Sequence, residues 1–531
     1  MINKNLKVWL PLIFSLIMIA GMYFGYQLHD QAGSEKGFFA SDKRSTLQET
    51  LDLIKLKYVD SVRIDSLQQG AIEEMMAALD PHSVYFPPVE LKEANEDLAG
   101  NFEGIGVEFN IFNDTVNVVY VIPEGPSDKA GLEIGDKILK VNDSVITNKD
   151  ISSDEVKKLI RGERDSKVLL QVLRNDKQLD LVVKRGTIPV ASVDAAYMIN
   201  KTTGYIKLNK FSQSTYEEFM RSMERLQKEG LKELILDLRG NGGGFMNEAV
   251  DIADEFLDGD KLIVYTKGVN NPKRDYLCKR PGIFEKGPLA VLVDELSASA
   301  SEVLTGALQD WDRATIVGRR TFGKGLVQEQ YRLSDGSAIR LTVARYYTPL
   351  GRSIQRSYEK GKKVYMDEIW NRFSDGELLY ADSNKITNGK QYKTRGGKIV
   401  YGGGGIMPDV FVPLDTSSYH RIVNTALLSG NFNSFVYNYF LKHKPLVEKY
   451  NTTADYIKGF SSQKDMWDQY VIFAAKEDSV NLSMISGAEK ESLQKRLEAY
   501  LARFKWRNPG FYQVLNSNDT VIKIAEKELS K

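Results

Sequence analysis

Apolar positions along the chain change period three times, and each change predicts a different kind of structure. Val8 to Leu28 is a run of 21 uncharged residues dominated by Leu, Ile, Met, Phe and Tyr. As a helix it would span about 31 Å, matching the roughly 30 Å hydrocarbon core of a bilayer. From 42 to 98 the period is helical. Leu47, Leu51, Ile54 and Tyr58 share one face, Ala71 to Leu79 repeats the pattern, and Asp80-Pro81 ends it before a short helix over Val89–Leu98. From Phe102 the pattern becomes that of strands and turns, in GIGVEFNIF, TVNVVYVIP, KILKVND, KVLLQVLR and QLDLVVKR, with one helix over Ser153–Arg161.

From Thr187 to about Pro413 strands alternate with helices. GYIKLNKF leads to a helix over Thr215–Glu229, ELILDL to a helix around Phe245–Leu257, and PLAVLVDE to a helix over Ser299–Trp311, followed by the strand TIVG. That alternation predicts an α/β layer architecture. Residues 356–405 are charged and Gly-rich and read as a surface insertion with hairpins. From about Ser417 the chain is polar and helical, with KESLQKRLEAYLARFKW the clearest amphipathic stretch.

Composition removes several function classes. Lys+Arg 71 against Asp+Glu 71 gives no net charge and no field to recruit nucleic acid. The single cysteine, Cys278, excludes an internal disulfide framework and a Cys-rich zinc site. Four scattered histidines give no metal-binding spacing, so no metal is expected. Lys4 and Lys7 precede the apolar run, and no clear small-residue cleavage site follows it. The run therefore reads as an uncleaved signal anchor in an inner membrane, with the remainder of the chain outside the cytoplasm.

Four segments could carry chemistry. Ser299 begins a helix after a buried-looking strand and a tight turn; with Glu302 it fits a capping box, and equally a nucleophile beside amides that favour an oxyanion. Gly318 to Gln328 nearly spells a phosphate-binding loop, but Gly325 stands where a Ser/Thr hydroxyl would hold Mg²⁺. The alternatives are a solvated lysine in a glycine turn, or Lys324 as a general base. An ordinary lysine is protonated at neutral pH, and burial that brings it to about 7.4 costs roughly 4 kcal/mol. In an extended segment Lys324 and Gln328 share a face, so Gln328 could orient the amine. Asp237-Leu238-Arg239-Gly240-Asn241-Gly242-Gly243-Gly244 places bare amides at a strand-to-helix turn, which suits an oxyanion, a peptide backbone or simply a flexible turn. Finally, the glycine turn Gly104-Ile105-Gly106-Val107 entering a strand can present amides to a peptide's C-terminal carboxylate.

Together these segments resemble the C-terminal processing peptidases, or tail-specific proteases, over roughly residues 45–415. GPSDKAGL with the following GD-x-I resembles that family's PDZ domain; LDPHSVYF, DLRGNGGG, SASASE, QDWDRATIVG, TFGKGLVQ, RYYTPLGRSIQ and IMPDV resemble its other signatures. The resemblance implies a Ser–Lys catalytic pair, with Ser299 as nucleophile, Lys324 as base and Gln328 supporting the lysine. It implies an oxyanion hole from the amides of Ala300 and Gly243, with Gly242 or Gly244 as alternatives. Asp310 matches an acidic position important in some members; pairing with Arg313 is the purely structural alternative. His82, in a D-P-H-S turn, reads as a turn residue and not as a triad partner.

The implied fold is α/β and β multidomain: a ClpP/crotonase-like protease core with an inserted PDZ domain, helical N-terminal and C-terminal flanks and an N-terminal transmembrane helix. The expected divisions are an anchor at 1–30, a helical region at 42–98, a PDZ domain at 99–186, the peptidase core at 187–415 with the insertion 356–405, and a helical region at 416–531. The implied activity is a serine endopeptidase that captures free apolar C-termini of extracytoplasmic proteins and needs no cofactor. A non-catalytic PDZ scaffold is the rival reading. A homo-oligomer or an activating adaptor stays open, as does the role of the helical tail, which could cover the active site, bind a partner or support a dimer.

Overall fold

The computed structural model describes residues 9, 11, 14–24, 45–381, 389–416, 420–460 and 464–531. The chain divides into two compact units, Met1–Glu74 and Met75–Lys531. In the first, residues 14–24 are helical with exposed apolar side chains, and helix α1 spans Thr46–Lys57. Helix α2 (Ile64–Leu79) starts in this unit. Residues 8, 10, 12, 13 and 25–28 of the expected anchor lie outside the described residues. Among the described residues no helix is long and apolar enough to cross a membrane.

The second unit opens with strand β1 (Val84–Phe86) and helix α3 (Pro88–Ala99), close to the expected Val89–Leu98. Strand β2 (Asn101–Gly104) then leads into an antiparallel sheet of β3 (Val107–Phe112), β4 (Thr115–Val121), β5 (Lys137–Val141), β6 (Lys167–Arg174) and β7 (Lys177–Lys184). Helix α4 (Ser153–Ile160) lies between β5 and β6 in sequence and starts with a full capping box of Ser152 and Glu155. Alternate residues of the strands, among them Val116, Val118, Val168, Leu170 and Val172, form one apolar core. Strand β8 (Gly186–Pro189) pairs antiparallel with β2, so the chain enters and leaves this module through one two-stranded stem.

The following strands build the α/β layer that the alternation predicts. They are β9 (Val193–Met198), β10 (Thr203–Leu208), β11 (Glu233–Asp237), β14 (Leu289–Val293), β15 (Thr315–Gly318) and β20 (Val410–Phe411). In the order given they form a six-stranded sheet, antiparallel at β9–β10 and parallel elsewhere. Helices α5 (Thr215–Lys228), α6 (Met246–Asp254) and α7 (Ala300–Asp310) contribute to the core on one face. A second, antiparallel sheet joins β1 to β12 (Leu262–Lys267), β13 (Arg274–Leu277), β16 (Leu326–Arg332) and β17 (Ala338–Tyr347).

One expectation changes. The insertion is not merely a surface hairpin region: helix α8 (Lys362–Ser374) buries Tyr365 and Arg372, and the hairpin β18 (Gln391–Lys393) and β19 (Ile399–Tyr401) follows it. Arg372 donates to the carbonyl of Thr321 at 2.9 Å, fastening the insertion to the loop before Lys324. Residues 382–388 of the insertion lie outside the described residues.

The helical tail comprises α9 (Arg421–Leu428), α10 (Asn431–Glu448), α11 (Thr453–Phe460), α12 (Lys464–Glu477), α13 (Gly487–Asn516) and α14 (Thr520–Leu529). Most of it shares its own aromatic-rich core. Its last helix completes the protease sheet: Val521, Ile522, Ala525 and Leu529 of α14 pack with Tyr205, Ile235, Ala290, Leu292 and Val317 on the second face. Strands covered on both sides read as continuous apolar runs, which explains ELILD and LAVLV.

Candidate active site

The site forms where β11 and β14 end, at the carboxyl edge of the parallel sheet, a usual place for ligands in such sheets. Two turns meet there. Gly240 N–H donates to Asp294 Oδ1 at 2.9 Å, Ser297 Oγ to the Leu238 carbonyl at 2.9 Å, and Ala298 N–H to the Asn241 carbonyl at 3.0 Å. The DLRGNGGG turn and the Ser299 turn are therefore one laced body. Ser299 sits at its apex with φ 57° and ψ −114°, a conformation costing a non-glycine residue about 1–3 kcal/mol. It is only partly buried.

Glu302, three residues into the turn of α7, is wholly buried and accepts from four donors. Its Oε2 takes the backbone N–H of Ser299 and that of Lys324, each at 2.9 Å. Its Oε1 takes Gly323 N–H at 2.7 Å and Thr321 Oγ1 at 2.5 Å. Burial raises its carboxyl to about 7, against the pull of those hydrogen bonds. The near-phosphate-binding sequence thus spends its amides on a carboxylate of the protein, and Gly325 N–H is taken by Gln355 Oε1 at 2.8 Å. No phosphate cradle remains.

Lys324 stands two residues before β16. Its Nζ donates to Gln328 Oε1 at 2.9 Å, as the period of an extended segment requires, and Gln328 Nε2 donates to the His82 carbonyl at 2.6 Å. Burial, reinforced by the Arg340 charge, lowers the lysine to about 8. No hydrogen bond joins Ser299 Oγ to Lys324 Nζ among the described residues. Tyr346, fully buried, holds its hydroxyl 3.0 Å from the Ser299 carbonyl and 2.6 Å from the Lys324 carbonyl. Its phenol is pushed well above the ordinary value by burial and the nearby Glu302, and stays a donor.

Gly243 lies against the nucleophile turn: a Cβ there would sit 2.7 Å from the Ala298 carbonyl, 2.8 Å from Ser299 Cβ and 3.0 Å from Ala300 N. Its φ of +100° also favours glycine. Its N–H donates to Asn241 Oδ1 at 2.9 Å, so the amide is engaged within its own turn. Ala300 stands at the first position of α7, where backbone amides lack a helical partner.

Asp310 is at the far end of α7, roughly 16 Å along the axis from Ser299. Its partner is not Arg313 but Arg352: both side chains are fully buried, 2.5 Å apart, and Asp310 Oδ2 also accepts from Leu350 N–H at 2.9 Å. Arg313 donates instead to the carbonyls of Phe256, Phe284 and Gly287. His82 is a turn residue beside the lysine, its N–H held by Asp80 Oδ1 and its Nε2 2.9 Å from the Tyr365 hydroxyl. Burial and the Lys324 charge lower it to about 4. Cys278 is buried, its thiol pushed up to about 12 by burial and Asp254, which disfavours the thiolate.

Away from this centre, Gly104, Ile105, Gly106 and Val107 line a groove of about 400 Å³ between β3 and α4. Among the described residues strand β3 pairs only with β4, leaving its other edge without a strand partner. No group of three or more His, Cys, Asp or Glu capable of holding a metal ion occurs among the described residues.

With this geometry in hand, similarity to known proteins is specific. The model of peptidase family S41 matches residues 202–361, that of the PDZ domain residues 104–184, and a family of unknown function (DUF8443) residues 422–507. A probable CtpA-like serine protease of Staphylococcus epidermidis is 34% identical over 366 residues, 68% of this chain and 71% of that protein. The carboxy-terminal processing protease CtpB of Bacillus subtilis is 34% identical over 332 residues, 61% of this chain and 68% of that protein. A solved structure of a photosystem II D1 C-terminal processing protease is 28% identical, with TM-score 0.37, over 69% of this chain and 86% of that one. The chain belongs to peptidase family S41, as a PDZ-containing C-terminal processing peptidase of the serine type.

Proposed function

We propose that this serine endopeptidase works through Ser299 and Lys324. One observation carries the assignment: a single oxygen of Glu302 holds the backbone amides of both residues, while the lysine amine is buried on Gln328 with its basicity lowered to about 8. A serine needs a neighbouring base, and a lysine with that value supplies a useful neutral fraction near neutral pH. The amine leaves Gln328 to take the Ser299 Oγ proton as Oγ attacks the scissile carbonyl. The Ala300 amide stabilises the oxyanion, joined by an amide of the Gly242–Gly244 turn; Gly243 contributes once its bond to Asn241 opens. Lys324 then protonates the leaving amine, and water hydrolyses the acyl-enzyme.

The PDZ module takes the C-terminus of the protein substrate. In our reading the Gly104–Val107 turn holds the terminal carboxylate and the groove takes an apolar last side chain. The apolar run Val8–Leu28 anchors the chain in an inner membrane with the catalytic portion on the extracytoplasmic side, and the divisions at 99–186, 187–415 and 416–531 mark the PDZ, peptidase and tail regions. Asp310 acts through its buried pair with Arg352 and not on the reacting atoms.

The test is mass-spectrometric cleavage of a protein ending in an apolar tail, offered also without its tail. Cleavage that requires the tail and disappears in Ser299→Ala and Lys324→Ala, with binding retained, is expected. Cleavage surviving Ser299→Ala overturns the nucleophile assignment.

A further inference from the structure

The groove is not built by the PDZ module alone. Arg503, from α13 of the helical tail, lines it together with Glu108 and Asn110 of β3, Lys157 of α4 and Arg161 just after that helix. A second hollow of about 180 Å³, further lined by tail residues, shares Asn110, Val119 and Arg503 with it. The recess therefore continues from the module onto the tail.

The local chemistry is lopsided. Arg503 donates to Glu108 at 3.1 and 3.4 Å, and Arg507 bonds the same carboxylate while lying 3.3 Å over the Tyr120 ring. Two guanidinium groups share one carboxylate, leaving one positive charge in excess. All three charged side chains remain a quarter to two-fifths exposed. At α4, Lys157 is paired with Asp154, and Arg161, just past the helix, with Glu96, which Lys92 also approaches at 3.9 Å. On the tail side the two cations sharing one carboxylate are both guanidinium groups of the tail. Arg507 has φ 56° and ψ −152° beside Pro509, a kink that a non-glycine residue adopts only at a cost. The strained residue is the one whose side chain is laid along the module.

Strand geometry says which part of a bound peptide would meet these cations. Val107, Phe109 and Ile111 pack toward the module's core, whereas Glu108 takes the opposite face, where Arg503 and Arg507 meet it. A peptide added to the open edge of β3 follows the same alternation. With its carboxylate at Gly104–Val107 and its last side chain turned to the apolar side, its second and fourth residues from the C-terminus face Arg503. We propose that the helical tail forms one wall of the peptide groove and selects substrates with an acidic side chain at the second or fourth position from their C-terminus, held by Arg503. This rests on the reading that the PDZ module takes C-termini.

The experiment measures binding of labelled tail peptides to the full chain carrying Ser299→Ala, so that nothing is cleaved. Peptides share an apolar last residue and carry Glu or Gln at the second, third or fourth position from the end. Glu at the second or fourth position should bind about fivefold more tightly than Gln at low salt, and Glu at the third should gain nothing. The ratio should fall to about one in Arg503→Gln and return in Arg503→Lys, with thermal midpoints confirming that both variants fold. A ratio near one in the parent, or a preference that survives Arg503→Gln, overturns the proposal. If no peptide binds, the capture of C-termini by the module falls, and the role of Arg503 with it.

Discussion

The backbone amides of Ser299 and Lys324 point at one and the same oxygen, Glu302 Oε2, each 2.9 Å away. Residues 25 positions apart are thereby held in register by a third side chain, and Tyr346 repeats the device between their carbonyls. The pair is positioned at the backbone, leaving the Lys324 amine to exchange partners.

Glu302→Gln keeps the size of this hub but replaces one acceptor oxygen with an NH₂ group. At least one buried N–H then loses its acceptor, at about 1–3 kcal/mol. The variant should fold, by far-UV circular dichroism, while kcat/KM drops roughly ten- to a hundredfold.

Tyr346→Phe removes the hydroxyl that bridges the two carbonyls. A similar loss of about 1–3 kcal/mol is expected in thermal unfolding, together with a fall in kcat at nearly constant KM, since the residue lies behind the reacting groups.

Lys324 also has a signature in stability. Its basicity falls from an ordinary 10.5 to about 8 on folding, so between those values the unfolded chain binds more protons than the folded one. Its contribution to unfolding free energy therefore rises with pH from about 8 to 10.5 and is least favourable below 8. Lys324→Met should abolish cleavage yet stabilise the fold at pH 7, by up to about 3 kcal/mol, with the gain vanishing above pH 10.5. Chemical denaturation at pH 7 and 10.5 measures the difference.

The tail should prove indispensable to the fold. Deleting residues 517–531 strips Val521, Ile522 and Leu529 from the protease sheet, roughly 5–9 kcal/mol of burial at about 1.5–3 kcal/mol each. It also removes Asp519, which pairs with Arg239 of the DLRGNGGG turn at 2.8 Å. A loss of that size approaches the whole stability of a domain, so the truncated chain should be insoluble or protease-sensitive. Limited proteolysis compares it with the full chain.

Local rules placed Ser299 at a helix start and put Gln328 on the same face as Lys324. Each segment alone left a structural alternative open, and the catalytic roles came only from the resemblance of the surrounding motifs. Glu302 was visible only as a capping partner of Ser299. Its second task depends on loop 321–324 arriving from elsewhere, which no local pattern reports. The partner of Asp310 was out of reach for the same reason: the alternative of nearby Arg313 satisfies spacing, while Arg352, 42 positions on, is brought to it only by the fold. The Gly243 amide looked bare in sequence, but the Asn241 side chain folds back on it. Helices α5, α6 and α7 followed from their period. The burial of α14 against the second sheet face did not, because an amphipathic helix does not name the surface it covers.

The most direct test of the Ser299–Lys324 pair is intact and peptide-level mass spectrometry of the acyl-enzyme formed with an activated ester of a tail peptide. One acyl group on Ser299 is predicted, forming at a rate that rises with pH to a midpoint near 8, as Lys324 loses its proton. In Lys324→Ala both the speed and that pH dependence should vanish. An acyl group on any other residue, or a pH profile unchanged by Lys324→Ala, would contradict the account.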